Sequence, residues 1–189
     1  MEPRPTRAET DPACIPAWVE GRLRPVDKYE VHRRGLHHPA VSVFVMAGDK
    51  LLLQRRALAK YHTPGLWANS CCTHPAWGES AADCAARRLG EELGIHGLRL
   101  EPRGRVDYRA AVGGGMVEHE RVDLFRAEAG PDLAVRPNPD EVMDWRWLGR
   151  AELAAEIAAA PERFVPWLRI YLAEHAGQIF GGDGGPAAG

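Results

Sequence analysis

The sequence predicts an α/β or α+β sandwich, a mixed sheet with helices packed on it. Three observations carry this: apolar β-branched runs broken by Gly turns, a change to helix-forming residues near residue 80, and helices that close the chain after a further strand.

The elements follow in order. "AVSVFVMAGDKLLLQRR" reads as two strands, Val41 to Met46 and Leu51 to Arg55, around a Gly-Asp turn. "LWANSCCTH" is another extended segment. "SAADCAARRLGEEL" is a helix with Ser80 as N-cap and a stop at Gly94. Strands at 98–110 and 116–127 flank the turn "AVGGG", and "VMDWRWL" is a short strand. Helices are expected at 150–159 and 166–176, the second opening on Pro166. Residues 1–20 read as a poorly ordered, extended lead-in, 21–178 as a single domain and 179–189 as a flexible Gly-rich tail.

The 189 residues carry 24 basic and 26 acidic side chains, a net charge of −2. Such balance gives no field favouring nucleic acid or a membrane surface. No run approaches the roughly 18 apolar residues of a membrane span, and the charged, Pro-rich N-terminus has no apolar signal core. Cys14, Cys71, Cys72 and Cys84 form no spaced framework, and adjacent cysteines bridge only with strain. The expectation is a reduced, cytoplasmic protein. Composition leaves the oligomeric state open.

The helix at 80–93 bears Arg87, Arg88, Glu91 and Glu92. Two i,i+4 ion pairs on a solvated face, worth ~0.2–0.5 kcal/mol each, would account for them. Their setting says more, because Glu79 opens the pattern E-x7-R-x-L-x-E-E-x-G-I. This resembles the Nudix box, a loop–helix–loop that holds divalent metal against a diphosphate, at Glu79, Arg87, Leu89, Glu91, Glu92, Gly94 and Ile95. Thr73 replaces the Gly that begins the box, and Arg88 replaces its first helical Glu. Losing that carboxylate argues against hydrolysis.

The departures point to one branch. "NSCCTHP" resembles the N-S-x-C-x-H-P segment of type 1 isopentenyl-diphosphate isomerases. "RRALAKYHTPGLWANS", "GES…RRLGEELG", "YRA" at 108–110, "EHE" at 118–120, "DEVMDWRW" and "PW" at 166–167 match in the same order. The similarity spans roughly residues 20–175 and implies a Nudix-type α/β/α sandwich. It further implies that isopentenyl and dimethylallyl diphosphate, the homoallylic and allylic isomers, are interconverted for isoprenoid biosynthesis, with no redox cofactor.

Shifting that double bond requires a proton added at one carbon and another removed elsewhere, through a carbocation. The resemblance gives these roles to Cys72 and Glu120, with Tyr108 hydrogen-bonded beside the carboxylate and Trp167 lining the pocket, its indole face stabilising positive charge. Strand alternation puts Cys72 and His74 on one face and Cys71 on the other, and it pairs Glu118 with Glu120 against His119. Cys71 therefore reads as a packing residue.

The resemblance also implies a divalent metal site (Mn2+, Zn2+ or Mg2+) from His32, His74, Glu118, Glu120 and a further histidine. "GLHHPAVSVF" offers His37 and His38; the family's H-x-A-x-S wording selects His38. Arg56, Lys60, Arg88 and Lys28 would hold the diphosphate. A second ion, Mg2+, would bridge it to Glu92. His62, His96, His119 and His175 read as surface or structural histidines. The rival readings are a Nudix hydrolase of a nucleoside or other diphosphate, and a catalytically dead binding module.

Overall fold

The computed structural model describes residues 6–130 and 132–181. A helical turn, α1 (Arg7–Thr10), leads into β1 (Cys14–Val19) and β2 (Arg22–Asp27), then α2 (Lys28–Arg34). The main sheet comprises β3 (His38–Ala47), β4 (Lys50–Arg56), β5 (Trp67–Ala68), β6 (Cys71–Thr73), β7 (Glu101–Gly113), β8 (Met116–Glu128) and β9 (Val142–Gly149). The remaining helices are α3 (Ala81–Leu93), α4 (Arg150–Ala159), α5 (Pro166–Glu174) and α6 (Ala176–Phe180). The path runs β5-β4-β3-β8-β7, with β6 on β3 and β9 on β4. Among the described strands β3 and β8 pair in parallel and the other pairs are antiparallel, so the sheet is mixed.

β3 shows how sequence builds the layers. Val41, Val43 and Val45 point to one face, where they meet Leu52, Phe125 and the apolar side of α3 (Cys84, Ala85, Leu89, Leu93). Ala40, Phe44 and Met46 point to the other, where Leu168, Tyr171 and Leu153 cover them. Helices on both faces make the α/β/α sandwich. Ser80 caps α3 by accepting from Asp83 N, and Gly94 ends it at φ 65°. A side chain at Gly94 would also meet Arg136 O at 2.8 Å, so glycine is needed twice over.

The N-terminal region departs from the expectation. Within the lead-in read over 1–20, residues 14–19 form a strand paired with β2, and Trp18 N donates to His37 O at 2.8 Å. Pro16 and Pro25 hid this ribbon, since proline removes a ladder donor; here they sit directly opposite each other. α2 was also not foreseen: it is short and charged, but Asp27 caps it and Gly35 closes it at φ 59°. At the C-terminus the second closing helix stops at Glu174, and α6 carries Ile179, fully buried, inside the stretch read as tail. Residues 182–189 of that tail lie outside the described residues. No helix among those described is long and apolar enough to cross a membrane.

Candidate active site

Seven helices and strands converge on one cavity beside the start of β3. Its lining includes Lys28, Arg56, Lys60, His62, Cys72, His74, Arg88, Tyr108, Glu118, Glu120 and Trp167. Register explains the meeting: Cys72 of β6 lies opposite Ser42, and Glu120 of β8 lies opposite His38, so β3 separates the thiol strand from the carboxylate strand. α2 presents Lys28 and His32 one turn apart. α3 contributes Arg88 and α5 contributes Trp167.

Strand parity sorts the cysteines and carboxylates as expected. Cys71 packs with α3, while Cys72 packs on the opposite face. Glu118 and Glu120 are buried in the cavity, whereas His119 stacks on His37 at 4.5 Å. His37 contacts Asp107 at 3.0 Å outside the cluster, and His38 is the histidine that enters it.

The thiol is closely held. Cys72 Sγ donates to Asn69 Oδ1 at 2.8 Å and accepts from Trp167 Nε1 at 2.9 Å. Ser42 Oγ lies 3.3 Å away and is itself 3.0 Å from Tyr171 Oη. Burial pushes the Cys72 thiol up to about 12, so it rests protonated. Asn69, Ser42 and Tyr171 were not singled out in the sequence; Asn69, three residues before the thiol, was the visible hint.

His38 Nε2, His74 Nε2 and Glu120 Oε1 form a triangle with sides of 3.2, 3.0 and 3.4 Å. Donors bonded at ~2.1 Å to one divalent ion are spaced in this way. His32 Nδ1 and His38 Nδ1 each lie 2.7 Å from a backbone carbonyl, of Lys28 and Leu36. Carbonyls only accept, so each Nδ1 bears the hydrogen and each Nε2 presents a lone pair. His32 Nε2 is buried with no hydrogen-bond partner. Burial pulls His32 down to about 4 and His74 well below its ordinary value, which keeps both imidazoles neutral. Among the described residues two donor groups result: His32, His38, His74 and Glu120, and His32, His62 and Glu118. The residues fit a divalent ion. His62, read from sequence as surface or structural, lies inside the cavity, because a loop rather than a periodic element delivers it.

Tyr108 Oη lies 2.6 Å from both Glu118 Oε2 and Glu120 Oε2. One hydroxyl hydrogen serves one of them; the other short contact needs a proton on the carboxyl. Burial, then the charge of Glu120, raises Glu118 well above the carboxylate range. Burial would raise Glu120 too, but the imidazoles of His38 and His74 beside it hold it well below. The extra proton therefore belongs to Glu118.

Cations line the outer side. Burial, then the positive charges of Lys60, Arg88 and Arg56, pulls the Lys28 ammonium down to about 8. Lys60 pairs with Glu141, and Arg88 reaches Glu92 at 2.7 Å and Glu141 at 3.2 Å. Arg56 lies over the Trp167 ring at 5.4 Å. A larger cavity of about 350 Å³ adjoins and shares Lys28, Lys60, Thr73, His74 and Arg88. Glu92 stands outside both donor groups: Arg88 holds Oε1, and Gln54 Nε2 donates to Oε2 at 2.9 Å.

The NUDIX domain model matches residues 36–168, most of the chain, and the chain belongs to that family. Solved structures agree in fold: a Deinococcus radiodurans protein (TM-score 0.68, 16% identity, covering 85% of this chain and 97% of that one) and a MutT NUDIX hydrolase from Burkholderia pseudomallei (0.57, 22%, 74% and 98%). Sequence likeness is narrower. The chain is 65% identical to the isopentenyl-diphosphate Delta-isomerase of Cereibacter sphaeroides over 88% of its length and 94% of that protein's. It is 64% identical to the enzyme of that name in Dinoroseobacter shibae, over 88% and 95%. Within the NUDIX proteins the chain falls in the isopentenyl-diphosphate Delta-isomerase family.

Proposed function

We infer that this chain interconverts isopentenyl and dimethylallyl diphosphate by protonation and deprotonation through a tertiary carbocation. The observation that carries the reading is a protonated thiol and a histidine-bonded carboxylate, on strands either side of β3, within one cation-rimmed cavity. Cys72 and Glu120 exchange protons with the substrate. Asn69 and Trp167 Nε1 fix the thiol, and Tyr108 relays or holds the proton at Glu120. The Trp167 indole, already facing the Arg56 guanidinium, supports cationic charge on carbon, worth ~2 kcal/mol when desolvated.

Lys28, Arg56, Lys60 and Arg88 bind the diphosphate, with Arg88 and Lys60 leaving Glu141 to do so. His32, His38, His74, Glu118 and Glu120 hold the divalent ion (Mn2+, Zn2+ or Mg2+), and Mg2+ accompanying the diphosphate draws on Glu92. When bound, the first ion supplies fixed positive charge that keeps Glu120 ionised. The substrate is a small molecule, with no nucleic acid partner. The four free cysteines suit a reducing cytoplasm.

The hydrolase reading is disfavoured by Arg88, which occupies the place of a helical carboxylate and ties up Glu91 and Glu92. The test offers isopentenyl diphosphate and a nucleotide panel with Mg2+, followed by phosphorus and proton NMR. Dimethylallyl diphosphate with no released phosphate is expected; phosphate release without that product would overturn the reading.

A further inference from the structure

The second donor group contains a residue that the five-ligand set leaves unused. His62 is 5% exposed and lies in the loop between β4 and β5. Its Nε2 is 3.6 Å from Glu118 Oε1, beyond hydrogen-bonding range but within the separation of two ligands on one ion. Its Nδ1 is 3.2 Å from Thr63 Oγ1, a partner that can fix the tautomer and leave Nε2 with its lone pair inward. The ring stacks on His32 at 5.2 Å and 26°, so the two imidazoles run side by side. His32, whose Nε2 is buried and without a partner, belongs to both donor groups, and within each group the donor atoms all lie within 4.8 Å of one another.

The backbone is bent to achieve this. Thr63, β-branched, sits at φ 46°, a left-handed conformation that costs ~1–3 kcal/mol outside glycine. Arg56 Nη2 donates to the His62 carbonyl at 3.2 Å and pins the turn.

We propose that His62 is a sixth protein ligand to the divalent ion, closing a four-histidine, two-carboxylate set that favours a borderline transition ion over Mg2+. This rests on the metal reading given under Proposed function. The full chain, stripped with a chelator, is titrated with Co2+ alone, with the visible ligand-field band and chelator competition as readouts. Wild type, His62→Ala, His62→Gln and, as a comparator, His74→Ala are measured, together with the thermal midpoint of each stripped protein.

The expectation is at least tenfold weaker Co2+ binding in both His62 variants, a more intense band as a coordination position is lost, and recovery of His62→Ala by added imidazole. Wild-type binding with unchanged affinity and band in the His62 variants would overturn the sixth ligand alone. No binding by wild type would overturn the metal reading and this inference together. Weakened binding that imidazole does not rescue, with a lowered midpoint in the stripped variant, would assign His62 to packing and overturn the proposal.

Discussion

The two faces of β3 obey the same alternation but spend it differently. Toward α3 the strand presents Val41, Val43 and Val45, which pack into an apolar layer with Leu52, Leu89 and Leu93. Toward α5 it presents His38, Ala40, Ser42 and Phe44, so polar groups enter a layer that also contains Phe164, Trp167 and Tyr171. The first face gains from burial alone, about 1.5–3 kcal/mol for each large aliphatic side chain. The second buries His32, His38, Glu118 and Glu120, each of which costs free energy unless it is paired. Stability and chemistry are thus assigned to opposite sides of one sheet, and neighbouring residues such as Cys71 and Cys72 fall under different rules.

The sharpest way to break that division is to change one cysteine at a time. Cys72→Ala should lower isomerase turnover by about 10³-fold or more, since the proposed proton-transferring group is lost. Cys71→Ser should retain most activity per folded molecule while losing about 1–3 kcal/mol of stability, because a hydroxyl enters an apolar layer. Steady-state rates and urea unfolding read both; equal losses of activity would show the faces to be wrongly assigned.

Leu89→Ala tests the apolar side. It should cost about 2–4 kcal/mol in urea unfolding through the cavity it leaves. Turnover per folded molecule should stay within about twofold, since Leu89 lies in the apolar layer on the far face of the sheet and touches no group lining the cavity. A large fall in turnover at full folding would mean that the α3 layer positions the site.

The smallest effect concerns pH. Lys28, depressed to about 8, is cationic below that value and loses its charge as pH rises through it. KM for the diphosphate should therefore climb between pH 7 and 9, by roughly tenfold at most, and binding near pH 8.5 should take up protons. Calorimetry in buffers of differing ionisation enthalpy checks the uptake, and Lys28→Met should abolish it. Between about 8 and its unfolded value the unfolded chain holds the extra proton, so the Lys28 contribution to stability rises with pH across that window.

Much of this was readable from residue order. The β3–β4 hairpin, α3 with its Ser80 and Gly94 caps, and the parity of Cys72 with His74 follow from local period and punctuation. The β1–β2 ribbon was hidden by opposed prolines, and α2 by its brevity. His62 lies in "KYHTPG", a turn without period, where only the folded backbone at Thr63 reveals which way the ring points. The hold of Gln54 and Arg88 on Glu92 was half visible: the helix spacing gave Arg88, but Gln54 comes from a strand distant in sequence.

The parallel pairing of β3 with β8 has a temporal consequence. His38 stands opposite Glu120 across a parallel pairing that spans β4, α3 and β7 in sequence, a contact of high sequence separation that carries a large entropic cost of closure. A ribosome-bound chain ending before β8 would carry the thiol and the histidines but neither of these carboxylates. The proposed metal-binding cup therefore needs the completed fold, and ion uptake during refolding would serve as a clock for that long-range step.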